Sequence, residues 1–293
     1  MKRIYFFLGK GGVGKSTLSI SLAHYLWKKG EKVYLASIDP AHNLYDILNL
    51  PSFKGEKEVK PYFWIEEVDI DAYLKRILFE IEEKMRHLYA YLQIINLEKI
   101  FDLIKDTPGM EETATLFALK DIIKKHQEKD YIIIDTPPTG LMLKIFSLPF
   151  ISKLWLEKLS KWRERILERR KIIAHVKGKD FLGKQTTILP EEDKVLHELN
   201  FQKKVISFLI QLLTDKEKSY FILVINPDEL SLKEGKRIMN TLNRFNIFVN
   251  LVILNKAGLT EKKEINFFKN LPKKEVSFLK NLKDILNLTW DDI

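Results

Sequence analysis

The 293-residue sequence predicts an α/β fold in which a mostly parallel β-sheet is flanked by helices. Three observations lead there. Apolar runs of strand length recur at residues 4–8, 32–38, 131–134, 220–225 and 249–254, and the segments between them carry apolar residues at helical spacing. Two of these runs also end on an aspartate, Asp39 and Asp135, at the strand end where open α/β sheets collect their ligands.

Taken in order, residues 4–8 (IYFFL) form the first strand. Residues 9–17 (GKGGVGKST) then match a phosphate-binding loop: a glycine, four residues, Gly14, Lys15 and Ser16. A polyphosphate needs converging backbone N–H groups, and Gly11, Gly12, Val13 and Gly14 let the main chain wrap closely around it. Lys15 is placed to reach the β- and γ-phosphates, Ser16 to ligate Mg²⁺ and Thr17 to continue the cradle into the helix that opens near Lys15. Leu18, Leu22, Ala23 and Leu26 give that helix its apolar spacing. Strand, loop and helix define a P-loop NTPase.

After Lys29-Gly30, residues 32–38 (KVYLASI) read as a buried parallel strand leading into Asp39-Pro40-Ala41-His42-Asn43. An aspartate at this edge can orient the water that attacks a γ-phosphate, so Asp39 is the catalytic candidate. The other reading of Asp39, a cap for a helix from Leu44, suits Asn43 better. Residues 63–70 predict a strand, and 71 to about 105 a long helical pattern broken into two helices. A further helix follows from Gly109 to about residue 127, with Glu111 and Glu112 in its first turn. Residues 131–134 (YIII) deliver Asp135, the second metal-binding candidate beside Ser16.

Residues 141–199 are amphipathic and basic, with Trp155, Leu159, Trp162 and Ile166 among Lys161, Arg163, Arg165, Arg169 and Arg170. This stripe suits either packing on its own domain or a partner. A polar loop is expected over 177–187 and helix again by about Glu191. Strands at 220–225 and 249–254 bracket a helix over 231–244, for which Ser231 and Glu234 form a plausible capping box. A short strand over 265–268, Leu271-Pro272 and a terminal amphipathic helix from 273 to about 288 complete the chain. That last helix suits core packing or a membrane surface.

Lys10, directly after the first glycine, marks a deviant loop. With DPAHNL at 39–44, PGMEE at 108–112 and DTPPTG at 135–140, it makes the chain resemble the arsenite-pump and tail-anchored-protein-targeting ATPases. The resemblance implies an ATPase with ATP and Mg²⁺ as its cofactors, working as a nucleotide-dependent homodimer in which Lys10 reaches the partner's nucleotide. It also implies that Asn255 and Pro272 line the adenine pocket. A single P-loop ATPase domain over 1–293 is expected, with a helical adjunct subdomain from about 71–127 and 141–215 that holds a membrane-protein client or meets a membrane pump subunit. Leu141 stands where relatives carry a histidine after the PPTG glycine, which departs from their switch coupling.

Composition narrows the alternatives. The chain has no cysteine, which rules out a thiolate zinc site, thiol-bound arsenite or an iron–sulfur cluster built by its own residues. A net charge of +9 suits either dispersed surface lysine or an anionic partner, so a partitioning-type ATPase binding DNA or a membrane surface is the alternative function. DPAHNL and the helical insertion argue against nucleic acid. With no stretch of about 20 apolar residues expected to span a bilayer, and no leader-like start, a cytoplasmic protein is expected.

Overall fold

The computed structural model describes residues 1–41, 44–88, 107, 109–178, 181, 187–257, 271–276 and 282–291. Its centre is an eight-stranded sheet of order β3-β4-β2-β5-β1-β6-β7-β8. The strands are β1 (Arg3–Leu8), β2 (Val33–Ser37), β3 (Lys57–Lys60), β4 (Phe63–Glu67), β5 (Tyr131–Asp135), β6 (Ser219–Ile225), β7 (Val249–Asn255) and β8 (Lys273–Val276). All neighbours run parallel except β3, which pairs antiparallel with β4. The predicted fold class is the observed one.

Side chains on β1 alternate between two cores. Ile4, Phe6 and Leu8 enter one, and Tyr5 and Phe7 the other. The first core is closed by α3 (Ile70–Leu88), α4 (Met110–Lys125), α5 (Thr139–Lys177), α6 (Lys194–Thr214) and α7 (Glu229–Asn243). The second is closed by α1 (Lys15–Lys28), α2 (Leu44–Leu48) and α8 (Leu282–Leu286), with Trp290 buried against Phe7 and its indole N–H donating to Ser21 Oγ at 3.0 Å. Covering both faces is what makes the parallel strands continuously apolar in sequence.

Four expectations are corrected. Ile70 opens α3 rather than ending a strand, and Asp69 accepts a hydrogen bond from Ala72 N at 2.8 Å. Lys273–Val276 is an edge strand, not helix: Val252 N donates to Pro272 O, Val276 pairs beside Asn255, and the exposed edge of β7 is thereby satisfied. Asp228, not Ser231, caps α7, accepting from Ser231 N at 2.8 Å while Ser231 Oγ accepts from Asn226 N. The bilayer expectation also changes, because α5 is one unbroken 39-residue helix, long and apolar enough by length and composition to cross a membrane. Its first turns bury Met142, Leu143, Ile145, Phe146 and Pro149 against the sheet. His42, Asn43, Pro108, the second helix before residue 107, most of the 177–187 loop and the strand expected at 265–268 lie outside the described residues.

Beyond Pro149 the helix leaves the sheet and pairs with α6. Arg163 grips Asp193 through Nε at 3.0 Å and Nη2 at 2.6 Å, and Asp193 Oδ1 also caps α6 by accepting from Leu196 N at 2.7 Å. Burial alone would raise the Asp193 carboxyl, but the Arg163 fork and the Leu196 N–H hold it below the usual range. Arg163 is therefore spent on joining the two helices.

Candidate nucleotide site

The carboxyl edge of the sheet gathers the candidate residues. Leaving β1, the chain turns sharply at Gly9, whose φ is +147° and where a Cβ would stand 2.3 Å from the Val224 carbonyl of β6. At Gly14 φ is +97°, and a Cβ would meet Asn255 Nδ2 at 2.4 Å. The loop between these glycines opens α1, whose first residue is Lys15. Lys15 is 5% exposed, and its ammonium donates to the Lys10 carbonyl at 3.4 Å. Burial pushes that ammonium down, while Asp135 and Asp39 pull it back up.

Register brings the two aspartates together. Residue 135 on β5 is level with Phe7 on β1 and Ser37 on β2, and Asp39 follows β2 by two residues. Asp39 is buried, its N–H donating to Ser37 Oγ at 3.3 Å and its Oδ1 accepting from Ala41 N at 3.0 Å. Its local bond thus forms a turn inside the Asp39–Ala41 segment. Asp135 is 1% exposed, and burial raises its carboxyl to about 7 against the opposing pull of Ser16, Lys15 and Ser37. Thr136 Oγ1 donates to the Phe7 carbonyl at 2.6 Å, tying the segment after β5 to β1.

Unpaired polar atoms collect at the same edge. Among the described residues, four buried side-chain atoms have no hydrogen-bond partner, and three of them, Asp135 Oδ1, Thr139 Oγ1 and Asn226 Oδ1, end or follow β5 or β6. Such atoms are costly unless something else satisfies them. A buried carboxylate oxygen beside the Ser16 hydroxyl fits a hard divalent cation, which takes oxygen ligands.

Asn255, at the end of β7, donates from Nδ2 to the Val13 carbonyl at 2.7 Å, and its Oδ1 accepts from Lys256 N at 2.9 Å. Its amide clasps the loop. Pro272 is not brought to this edge: it precedes β8 and lies beside Val252, three residues back along β7 from Asn255. Lys10 is half-buried at the loop, and Gly11 and Gly12 beside it are exposed. Sequence reasoning missed Lys256, which takes φ +57° and points Nζ at the Gly12 carbonyl at 3.5 Å. It also missed Ser37 and Thr136. The signal for all three was proximity to a strand end that already carried a candidate.

Sheet order, glycine loop and the two strand-end aspartates define a P-loop NTPase. The chain belongs to the anion-transporting ATPase family, whose profile matches residues 2–288, and it is an ATP-hydrolysing enzyme. It is 31% identical over 268 residues to "Putative arsenical pump-driving ATPase 2" of Aquifex aeolicus, covering 91% of this chain and 84% of that protein. It is 27% identical over 250 residues to "ATPase ASNA1 homolog 1" of Paramecium tetraurelia, covering 85% of this chain and 73% of the relative. For "ATPase ASNA1 homolog" of Cryptosporidium parvum the identity is 28%, over 85% of this chain and 63% of the relative.

Proposed function

We propose that the enzyme hydrolyses ATP in a Mg²⁺-dependent reaction as a nucleotide-clamped homodimer, and couples that cycle to an apolar client or a membrane partner. The observation that carries the catalytic half is the convergence of Lys15, Asp39 and Asp135 with the glycine loop on one sheet edge. In this reading the backbone of residues 11–17 wraps the phosphates and Lys15 neutralises the β- and γ-oxygens. Asp39 accepts a hydrogen bond from the attacking water and aims it in line. Ser16 and Asp135 would hold Mg²⁺, which supplies charge neutralisation on the phosphate oxygens. Asn255 keeps the loop in shape and turns its remaining amide capacity to the adenine edge. Lys10 reaches the nucleotide of a second copy.

The client half rests on the outer part of α5 within one ATPase domain that carries a helical adjunct from about 71–127 and 141–215. There Leu154, Trp155, Leu159, Trp162 and Ile166 recur at helical spacing and are exposed, Trp155 by 57% and Trp162 by 56%. The stripe suits an apolar helix laid alongside it, with Lys158, Lys161 and Arg165 at its margins. The proposed setting is the cytoplasm, where ATP is supplied.

One variant tests the proposal. Asp39→Asn should bind ATP as tightly as the parent, lose hydrolysis by at least about 10²-fold, and in ATP show twice the mass of the nucleotide-free protein in solution. Turnover at the parental rate would sink the role of Asp39. A mass unchanged by ATP would sink the clamped dimer.

A further inference from the structure

Three of the four orphaned buried atoms belong to the nucleotide edge, and the fourth does not. It is Nε2 of His126, the residue that ends α4, with its ring 3% exposed. Glu56 Oε2 lies 2.9 Å from that nitrogen, yet the two are not aligned as a hydrogen bond. Glu66 on β4 supplies a third group, and the ligand atoms of Glu56, Glu66 and His126 all lie within 4.8 Å of one another.

We propose that Glu56, Glu66 and His126 form a binding site for a divalent transition-metal ion such as Zn²⁺, Mn²⁺ or Co²⁺. Metal–ligand bonds of about 2.0–2.2 Å in a tetrahedral shell put ligand atoms roughly 3.4 Å apart, so closure needs small side-chain movements. One imidazole and two carboxylates suit these metals better than Ca²⁺ or Mg²⁺, which prefer oxygen alone.

The surroundings favour the site. The Tyr34 hydroxyl donates to Glu66 Oε2, and the Tyr34 ring stacks on the His126 ring with centroids 3.8 Å apart, so both ligands are oriented from behind. Glu128 Oε1 lies 4.0 Å from His126 Nδ1, beyond hydrogen-bond distance. Burial lowers the His126 imidazolium against the pull of Glu56. Without a metal, Glu56 Oε2 is met by Lys125 Nζ at 3.1 Å, a contact the ion would replace. Bound there, the ion would tie the paired β3–β4 segment to the end of α4, which is distant in sequence.

Co²⁺ absorbance and Zn²⁺ thermal shift on untagged, nucleotide-free protein test the site. One equivalent of Co²⁺ should give visible d–d bands, and Zn²⁺ at 100-fold over Kd should raise the unfolding midpoint by roughly 5 °C. Both signals should persist in Asp135→Asn and vanish in Glu56→Gln, whose partly exposed position spares the fold. His126→Gln should behave as Glu56→Gln does. Signals retained in Glu56→Gln, lost in Asp135→Asn, or absent from the parent would each overturn the assignment.

Discussion

The carboxyl edge of the sheet and the outer half of α5 break opposite rules. At the edge, polar atoms such as Asp135 Oδ1, Thr139 Oγ1 and Asn226 Oδ1 are buried with no partner. On α5, large apolar groups such as Leu154, Trp155 and Trp162 stand in water. Each anomaly indicates the chemistry that would relieve it. A buried carboxylate beside an ammonium calls for cations and phosphate oxygens, whereas an apolar stripe calls for apolar surface. The fold holds the first within its core strands and projects the second away from them.

The largest expected effect lies at the edge. Lys15→Ala should abolish turnover, by about 10³-fold or more, because it removes a buried ammonium drawn up by both Asp39 and Asp135. Retained turnover in steady-state assays would break the comparison on its catalytic side.

A middle-sized effect concerns pH. The Asp135 carboxyl is raised to about 7 in the folded protein, against an ordinary value near 4 when unfolded. A raised folded value means that this group favours folding below about pH 4 and loses that contribution as pH climbs through 7. For nucleotide-free protein without divalent cation, Asp135→Asn should therefore gain on the parent by roughly 3 kcal/mol between pH 5 and pH 8. Denaturant melts at the two pH values measure the difference, and a gap independent of pH would contradict burial as the cause.

The smallest effect on the fold, and the sharpest on partner binding, is expected from Trp155→Ser combined with Trp162→Ser. Exposed positions of this kind change stability by about 0.5 kcal/mol or less each. Capture of a model transmembrane-helix peptide should nonetheless weaken at least about 10-fold, read by fluorescence anisotropy. Unchanged capture would show that the stripe is not the contacting face.

Much of the nucleotide edge was readable before any coordinates. The loop from Gly9 to Thr17, the strand leading into Asp39 and the strand ending at Asp135 are local patterns, each set by a few neighbouring residues and their backbone needs. The errors came where a distant element decides. Residues 273–276 carry a helical pattern, but the free edge of β7 takes them as a strand because unsatisfied backbone groups outweigh weak periodicity. Ser231 resembled a cap until Asp228 took the role and left its hydroxyl for Asn226.

By itself the sequence determined that this chain builds a parallel α/β sheet with a phosphate loop and two strand-end carboxylates, because periodicity and glycine placement are encoded locally. Only the tertiary structure decided that β5 lies between β1 and β2, which sets Asp135 level with Ser37 and Phe7. Tertiary contact also clasped Asn255 onto Val13 and gathered Glu56, Glu66 and His126 at one point. The physical reason is strand order: which strands become neighbours depends on burying apolar surface on both faces of the whole sheet, a constraint that no short window of sequence contains.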